Sequence, residues 1–278
     1  MRTTRLPYIV PICFTAWLLC MISIPIARWL AGDAILPLAV TISVMLQTAA
    51  TLATLLTAWR IARTAVLCAL ILLAAWAIEL VGSRTGYPFG IYHYTNRLTP
   101  QLGGVPLLIP LAWLMMLPAS WAVAQRISGR SRGAAFIGMS GLSFMAWDLF
   151  LDPQMVGWGF WQWAQQPMLW GGYFGIPWLN FVGWAFSAAL LTQLVLQFVS
   201  LDGLPHGWLM AMYVATWLLE SVGQALFWQL PGPALVGFLA MGGWIVWGLF
   251  LPHNQRGLNW AADLAYMRKR YRKLKTEP

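Results

Sequence analysis

Met145-Ala146-Trp147-Asp148-Leu149-Phe150-Leu151-Asp152-Pro153-Gln154-Met155 closes an apolar run that begins near residue 133. A spacing of four sets Asp148 and Asp152 on one face of a helix, a turn apart, and Pro153 is expected to stop that helix. Asp and Glu together number 8 in 278 residues, so two of them at the end of a lipid-length segment are not there for solubility. Both carboxyls can look into one cavity, and the rest of the chain reads as its surroundings.

Hydrophobic residues make up 60% of the chain and charged residues 9%, with a mean hydropathy of +0.66. Such a composition describes an all-α, polytopic membrane bundle rather than a soluble domain. Apolar segments of spanning length fall at 8–28, 34–58, 64–82, 105–124, 133–151, 177–200, 208–229 and 234–251, about eight transmembrane helices of about 20 residues each. Residues 1–251 then form a single transmembrane domain and 252–278 a basic tail. Arg2 and Arg5 precede the first run as in a signal peptide, but no small-residue cleavage site interrupts it before Arg28, so it reads as a retained helix.

With eight spans, both termini share one side of the membrane. Arg2, Arg5, Arg60, Arg63, Arg126, Arg130, Arg132, Arg256, Arg268, Lys269, Arg270, Arg272, Lys273 and Lys275 fall on that side, and Arg28, Arg84 and Arg97 on the other. The asymmetry assigns the termini to the cytoplasm, with the tail as a contact for anionic lipid headgroups. The net charge of +9 is thereby topological, and no nucleic acid is expected as a partner. Cys13, Cys20 and Cys68 lie singly in apolar runs and read as small buried hydrophobes.

Two connections on the non-cytoplasmic side are long, 83–104 and 152–176, and long connections are more often functional than idle. The second carries Trp158, Trp161, Trp163 and Trp170 and no Lys or Arg, which suggests an aromatic collar at the outer interface. A weak internal echo joins the two. Gly104-Val105-Pro106 precedes Trp113 as Gly175-Ile176-Pro177 precedes Trp184, 71 positions later. If spans three and four repeat as five and six, that offset lays Glu79 between Asp148 and Asp152.

Asp33, Asp202, Asp263 and Glu277 fall in connections or the tail, where solvation explains them. Glu79 lies near the outer end of span three, Asp148 and Asp152 at the outer end of span five and Glu220 just past the middle of span seven, all in the outer half of the bilayer, and a carboxylate at such depth faces a cavity, a partner or a pathway. The plain structural alternatives are a Glu79–Arg84 ion pair and backbone capping by the aspartates. A buried carboxyl cluster can hold one member protonated as an acid and another ionised as a base; the spacing does not say which. Nearby polar groups are Tyr87, Tyr92, His93, Tyr94, Asn96 and Arg97 in the first long connection and Gln154 and Asn180 beside the second. His93 has no second His or Cys to complete a metal site, so it reads as a hydrogen-bonded structural residue, with proton relay as the alternative, and no metal is expected. The 19 tryptophans exceed what interfacial belts use. Some could wall an extended polyene and shelter a carbocation, while ordinary packing accounts for the rest.

Four motifs in order then resemble a known family: Gly86-Tyr87-Pro88-Phe89-Gly90-Ile91-Tyr92-His93-Tyr94-Thr95, Gly104-Val105-Pro106-Leu107-Leu108-Ile109-Pro110-Leu111-Ala112-Trp113, Trp147-Asp148 through Asp152-Pro153, and Tyr173-Phe174-Gly175-Ile176-Pro177-Trp178-Leu179-Asn180-Phe181-Val182-Gly183-Trp184. They are similar to the membrane carotenoid-biosynthesis proteins that include the bisanhydrobacterioruberin hydratases and γ-carotene 1′-hydratases. The resemblance implies addition of water to the terminal C-1,2 double bond of an acyclic ψ end group, giving a tertiary alcohol with no redox cofactor. The expected partners are an acyclic carotenoid, membrane lipids and other enzymes of the pathway. Glu79, Asp148, Asp152 and Glu220 remain the catalytic candidates on the burial argument alone. Arg84, Tyr87, Tyr92, His93, Tyr94, Trp113, Trp147, Asn180 and Trp184 are the candidates for substrate binding. Chain length of the carotenoid is not written in these residues.

Two other readings compete. An intramembrane prenyltransferase also uses Asp-x3-Asp to grip a magnesium diphosphate, but needs a second acidic motif, and the region of Glu220 offers one acid. A transporter or lipid-binding scaffold would spread its acids across the membrane depth, whereas these crowd one side.

Overall fold

The structure, a computed structural model, describes residues 6–164 and 172–250. Arg2, Arg5, Trp170 and the basic tail with Arg256, Asp263 and Glu277 lie outside the described residues. Among the described residues, eight α-helices carry the fold: α1 Leu6–Ala31, α2 Leu36–Ala58, α3 Ile61–Thr85, α4 Leu108–Ser128, α5 Ala134–Gly157, α6 Trp178–Phe198, α7 His206–Leu226 and α8 Pro231–Phe250. Continuous stretches long and apolar enough to cross a membrane number seven rather than eight among the described residues, because Tyr8–Ala58 runs on as one stretch of 51 residues. At 1.5 Å per residue that is about 76 Å, more than twice a hydrocarbon core. A 3-10 turn at Gly32–Ile35 folds it back, and α1 packs along α2.

α4 is the axis of the bundle. Almost every residue from Ile109 to Ile127 is buried, against α2, α3, α5, α7 and α8, as expected of a helix apolar on all sides. α5 and α6 approach so closely that a Cβ on Gly141 would stand 2.3 Å from the Ala185 carbonyl oxygen and 3.1 Å from Ala189. Small residues four apart permit this contact, and dispersion between close backbones holds it where lipid gives no hydrophobic drive.

The connections sort into two ends. At one, the Arg63 guanidinium donates to the Ser200 and Asp202 carbonyls and Ser131 donates to the Asp202 carboxylate, which joins the α2–α3, α4–α5 and α6–α7 connections. The Ser131 hydroxyl, with that of Ser200 donating at 2.8 Å, holds the Asp202 carboxyl below the usual range. At the other end, Arg28 donates to Asp33 at 2.6 Å and holds its carboxyl low, Arg97 donates to the Asp33 carbonyl at 2.8 Å and to the Trp158 carbonyl at 2.6 Å, and Arg28 lies over Trp228. Arg60, Arg126, Arg130 and Arg132 accompany the first end, and Arg84 the second.

The long connections are short ribbons at the second end. β1 (Tyr92–Tyr94) pairs antiparallel with β4 (Trp161–Trp163), Tyr92 opposite Trp163 and His93 opposite Gln162. The flanking bonds mirror each other: Ala164 N–H to Ile91 C=O at 2.9 Å and Thr95 N–H to Phe160 C=O at 3.0 Å. β2 (Gln101–Leu102) and β3 (Val105–Pro106) form a hairpin about Gly103-Gly104, and Tyr173 and Ile176 pair identically about Phe174-Gly175. All four turn residues have positive φ (65°, 89°, 48° and 88°), the two-residue turn that suits strand twist. Trp113 and Trp184 stack at 5.0 Å with 16° between planes. These pairs describe an approximate twofold relation of α3–α4 to α5–α6, as the echo suggested. The offset needs correcting, however. It is 71 at the turns but 69 at the strands, because two more residues separate β4 from the second turn, and 69 lays Glu79 on Asp148 rather than between the two aspartates.

Two further expectations change. Pro153 does not stop α5, which continues to Gly157. Proline removes the N–H that would meet the Leu149 carbonyl, and the Tyr173 hydroxyl donates to that carbonyl instead at 3.0 Å. Nor do Trp158 and Trp161 form a collar at the outer interface: both are buried in the core, and Trp163 packs against it. Pairing of β4 with β1 sends Trp161 and Trp163 to one face, and Trp158 follows the end of α5.

Candidate active site

Beneath the β1–β4 ribbon lies a cavity of about 370 Å³. Its walls come from α1 to α7 and the β1–β4 ribbon, and are dominated by Trp17, Trp147, Trp158, Trp161, Trp163, Trp184 and Trp228 with aliphatic residues between. Three of the four predicted acids line it: Glu79 from α3, Asp152 from α5 and Glu220 from α7. No Lys, Arg or His is among its described lining residues.

Glu79 is held by three donors. The hydroxyls of Tyr92 and Tyr94 donate to Oε2 at 2.6 and 2.7 Å, and Trp113 Nε1–H donates to Oε1 at 3.2 Å. A strand sends alternate side chains to one face, so Tyr92 and Tyr94 reach inward together. Burial pushes both phenols above the ordinary tyrosine range, and the Glu79 carboxylate adds to the shift. Both therefore remain donors throughout the physiological range. One lone-pair position on Oε1 is left for a further donor.

Asp148 and Asp152 are bridged by Asn180 near the start of α6. Its side-chain amide donates to Asp148 Oδ2 at 2.9 Å and to Asp152 Oδ2, and Trp161 Nε1–H donates to Asp152 Oδ1 at 2.9 Å. Asp152 faces the cavity, while Asp148 stands behind it, fully buried, with Oδ1 taking no donor from the protein. Glu220 sits at the α1–α7 side beside Gln224. Gln224 in turn donates to the Phe150 carbonyl at 2.7 Å and to Gln154 Oε1 at 3.0 Å. None of the plain alternatives holds: Glu79 bonds aromatic donors while Arg84 is exposed, and the aspartates bond side chains rather than backbone.

Of the binding candidates, Tyr92, Tyr94, Trp147, Asn180 and Trp184 line the cavity, and Trp113 supports it through Glu79 and its stack on Trp184. Arg84, Tyr87 and His93 do not. Tyr87 is 73% exposed, and His93, between two inward tyrosines, points outward by strand alternation. Trp161 was not singled out as a site residue, although Trp-Gln-Trp in β4 answers Tyr-His-Tyr in β1. Among the described residues, no three of Asp, Glu, His and Cys gather as a metal site.

No solved structure matches this chain. It is 35% identical over 125 residues to the bisanhydrobacterioruberin hydratase of Haloarcula japonica, a stretch covering 44% of this chain and 41% of that protein. The matched stretch is thus less than half of the relative's length. The model of the carotenoid biosynthesis protein family matches residues 38–244, most of the chain and every cavity acid. The chain belongs to the carotenoid biosynthesis protein family.

Proposed function

We propose that this protein adds water to the terminal C-1,2 double bond of an acyclic carotenoid end group. The observation that carries the reading is the meeting of Asp152, Glu79 and Glu220 in one aromatic, otherwise apolar cavity. Hydration of an unactivated alkene needs a strong proton donor, shelter for a tertiary cation and a base for water, and no redox step.

In this reading, the Asp148–Asp152 pair, held on one amide, shares a single proton between two carboxyls. Asp152 delivers that proton to C-2. The π electrons form the new C–H bond and leave the cation at C-1, facing the rings of Trp147, Trp161 and Trp184. Water bonds to C-1 through its oxygen as Glu79 takes one of its protons at the open position on Oε1. The proton returns through cavity water to the aspartate pair, so the sum is alkene plus water to tertiary alcohol. Fixed donors around Glu79 need no rearrangement as charge develops, which is where electrostatic catalysis gains most.

The test is expression of the chain in a host that makes lycopene, with extracted pigment analysed by mass. Wild type is expected to give the tertiary alcohol, and Asp152→Asn to lower its formation by about 10²-fold to 10⁴-fold, as for loss of a general acid. Unchanged product in Asp152→Asn would remove that residue from the mechanism. A non-catalytic pigment carrier would instead retain lycopene unaltered in wild type.

A further inference from the structure

On the ribbon side the cavity is lined by Tyr92, Tyr94, Trp158, Trp161 and Trp163. Ile22, Ile26, Val222 and Phe227 line it, and yet are 56%, 57%, 49% and 50% exposed. Ile22 and Ile26 are on α1, Val222 is on α7 and Phe227 follows α7 directly. A residue that is both cavity wall and outer surface marks a breach, and these four place it sideways, between two membrane-length helices. These four rim residues are apolar, and Arg28 of α1 stands over the ring of Trp228, a lining residue, 5.5 Å from its centroid. Glu220 lies just inside, two residues before Val222.

At about 370 Å³ the cavity is near the small end of the range for ligand sites, about 300–1,000 Å³, which suits the end group of a long polyene rather than its whole length. We propose that the slot between α1 and α7 is a lateral portal: the end of a lipid-dissolved polyene enters past Ile26 and Val222, while its body stays in the bilayer along the two helices. The proposal rests on the carotenoid reading above for the class of ligand, but not on the reaction.

Its test is retention of lycopene by the full chain in lipid nanodiscs, with geraniol as a short probe bearing the same dimethyl alkene. The double variant Ile26→Trp/Val222→Trp narrows the slot without touching an acid, and Leu190→Trp, on the exposed face of α6, is the control. Lycopene bound by the double variant is expected to fall by about tenfold or more, while quenching of tryptophan fluorescence by geraniol, and lycopene binding by Leu190→Trp, stay within about twofold of wild type. The portal is overturned if the double variant keeps wild-type lycopene binding, if wild type binds no lycopene, or if both ligands are lost alike. Lycopene bound by wild type without addition of water leaves the portal standing and defeats only the proposed reaction.

Discussion

Tyr94 shows how much of the site rests on single donors. Its hydroxyl and that of Tyr92 fix the same Glu79 oxygen, so Tyr94→Phe removes one of three preorganised donors and is expected to lower turnover by about tenfold to 10²-fold, with a smaller change in lycopene binding. Both phenols are shifted upward by burial and by Glu79. A group whose folded value lies above its unfolded one stabilises fully below the unfolded value, about 10 for tyrosine, and loses that contribution as pH rises toward the folded value. Thermal unfolding followed against pH is therefore expected to drop above about pH 10, and less steeply in the Tyr92→Phe/Tyr94→Phe variant. The acids were legible in the sequence because charge at membrane depth is costly enough to demand a cause. Arg84, Tyr87 and His93 were grouped with the site by adjacency alone, and strand alternation separates His93 from its neighbours. Trp161 was assigned to the outer collar rather than to the site because its direction depends on pairing with a strand distant in sequence.

At the scale of elements, the spans were readable from apolar length, and boundaries differ where local chemistry overrides the pattern. Pro153 is the instructive case. The sequence signal for a helix stop is real, but it assumes that the freed carbonyl finds no other partner, and Tyr173, at the start of the second turn, supplies one. Tyr173→Phe leaves the Leu149 carbonyl buried and unsatisfied, at a cost of about 1–3 kcal/mol. The expected result is a lower unfolding midpoint with α5 most affected, measured by hydrogen exchange at residues 149–157. An unchanged midpoint would show that the helix tolerates Pro153 unaided. The turn Phe174-Gly175 and its counterpart Gly103-Gly104 were visible as a motif, but their shared conformation was not, since positive φ at Phe174 cannot be read from a phenylalanine.

For the whole molecule, the two contact-defined ends agree with the charge asymmetry on which the orientation rests. Arg63, Arg130 and Arg132 gather where α2–α3, α4–α5 and α6–α7 meet, and the cavity lies toward the other end. Reporter fusions at the two termini are expected to signal from the cytoplasm, and placement of either outside would invert the depth assigned to the acids. What the sequence could not supply is the cavity itself, because it is lined by residues from seven helices and the β1–β4 ribbon, whose contacts are long-range. The central claim is that these walls add water to a carotenoid double bond. It is tested most directly by mass analysis of pigment from a lycopene-producing host expressing this chain in ¹⁸O-labelled water. The expected product is heavier than lycopene by one labelled water, with none of its oxygen drawn from molecular oxygen; an unaltered pigment, or one labelled from ¹⁸O₂ instead, would contradict it.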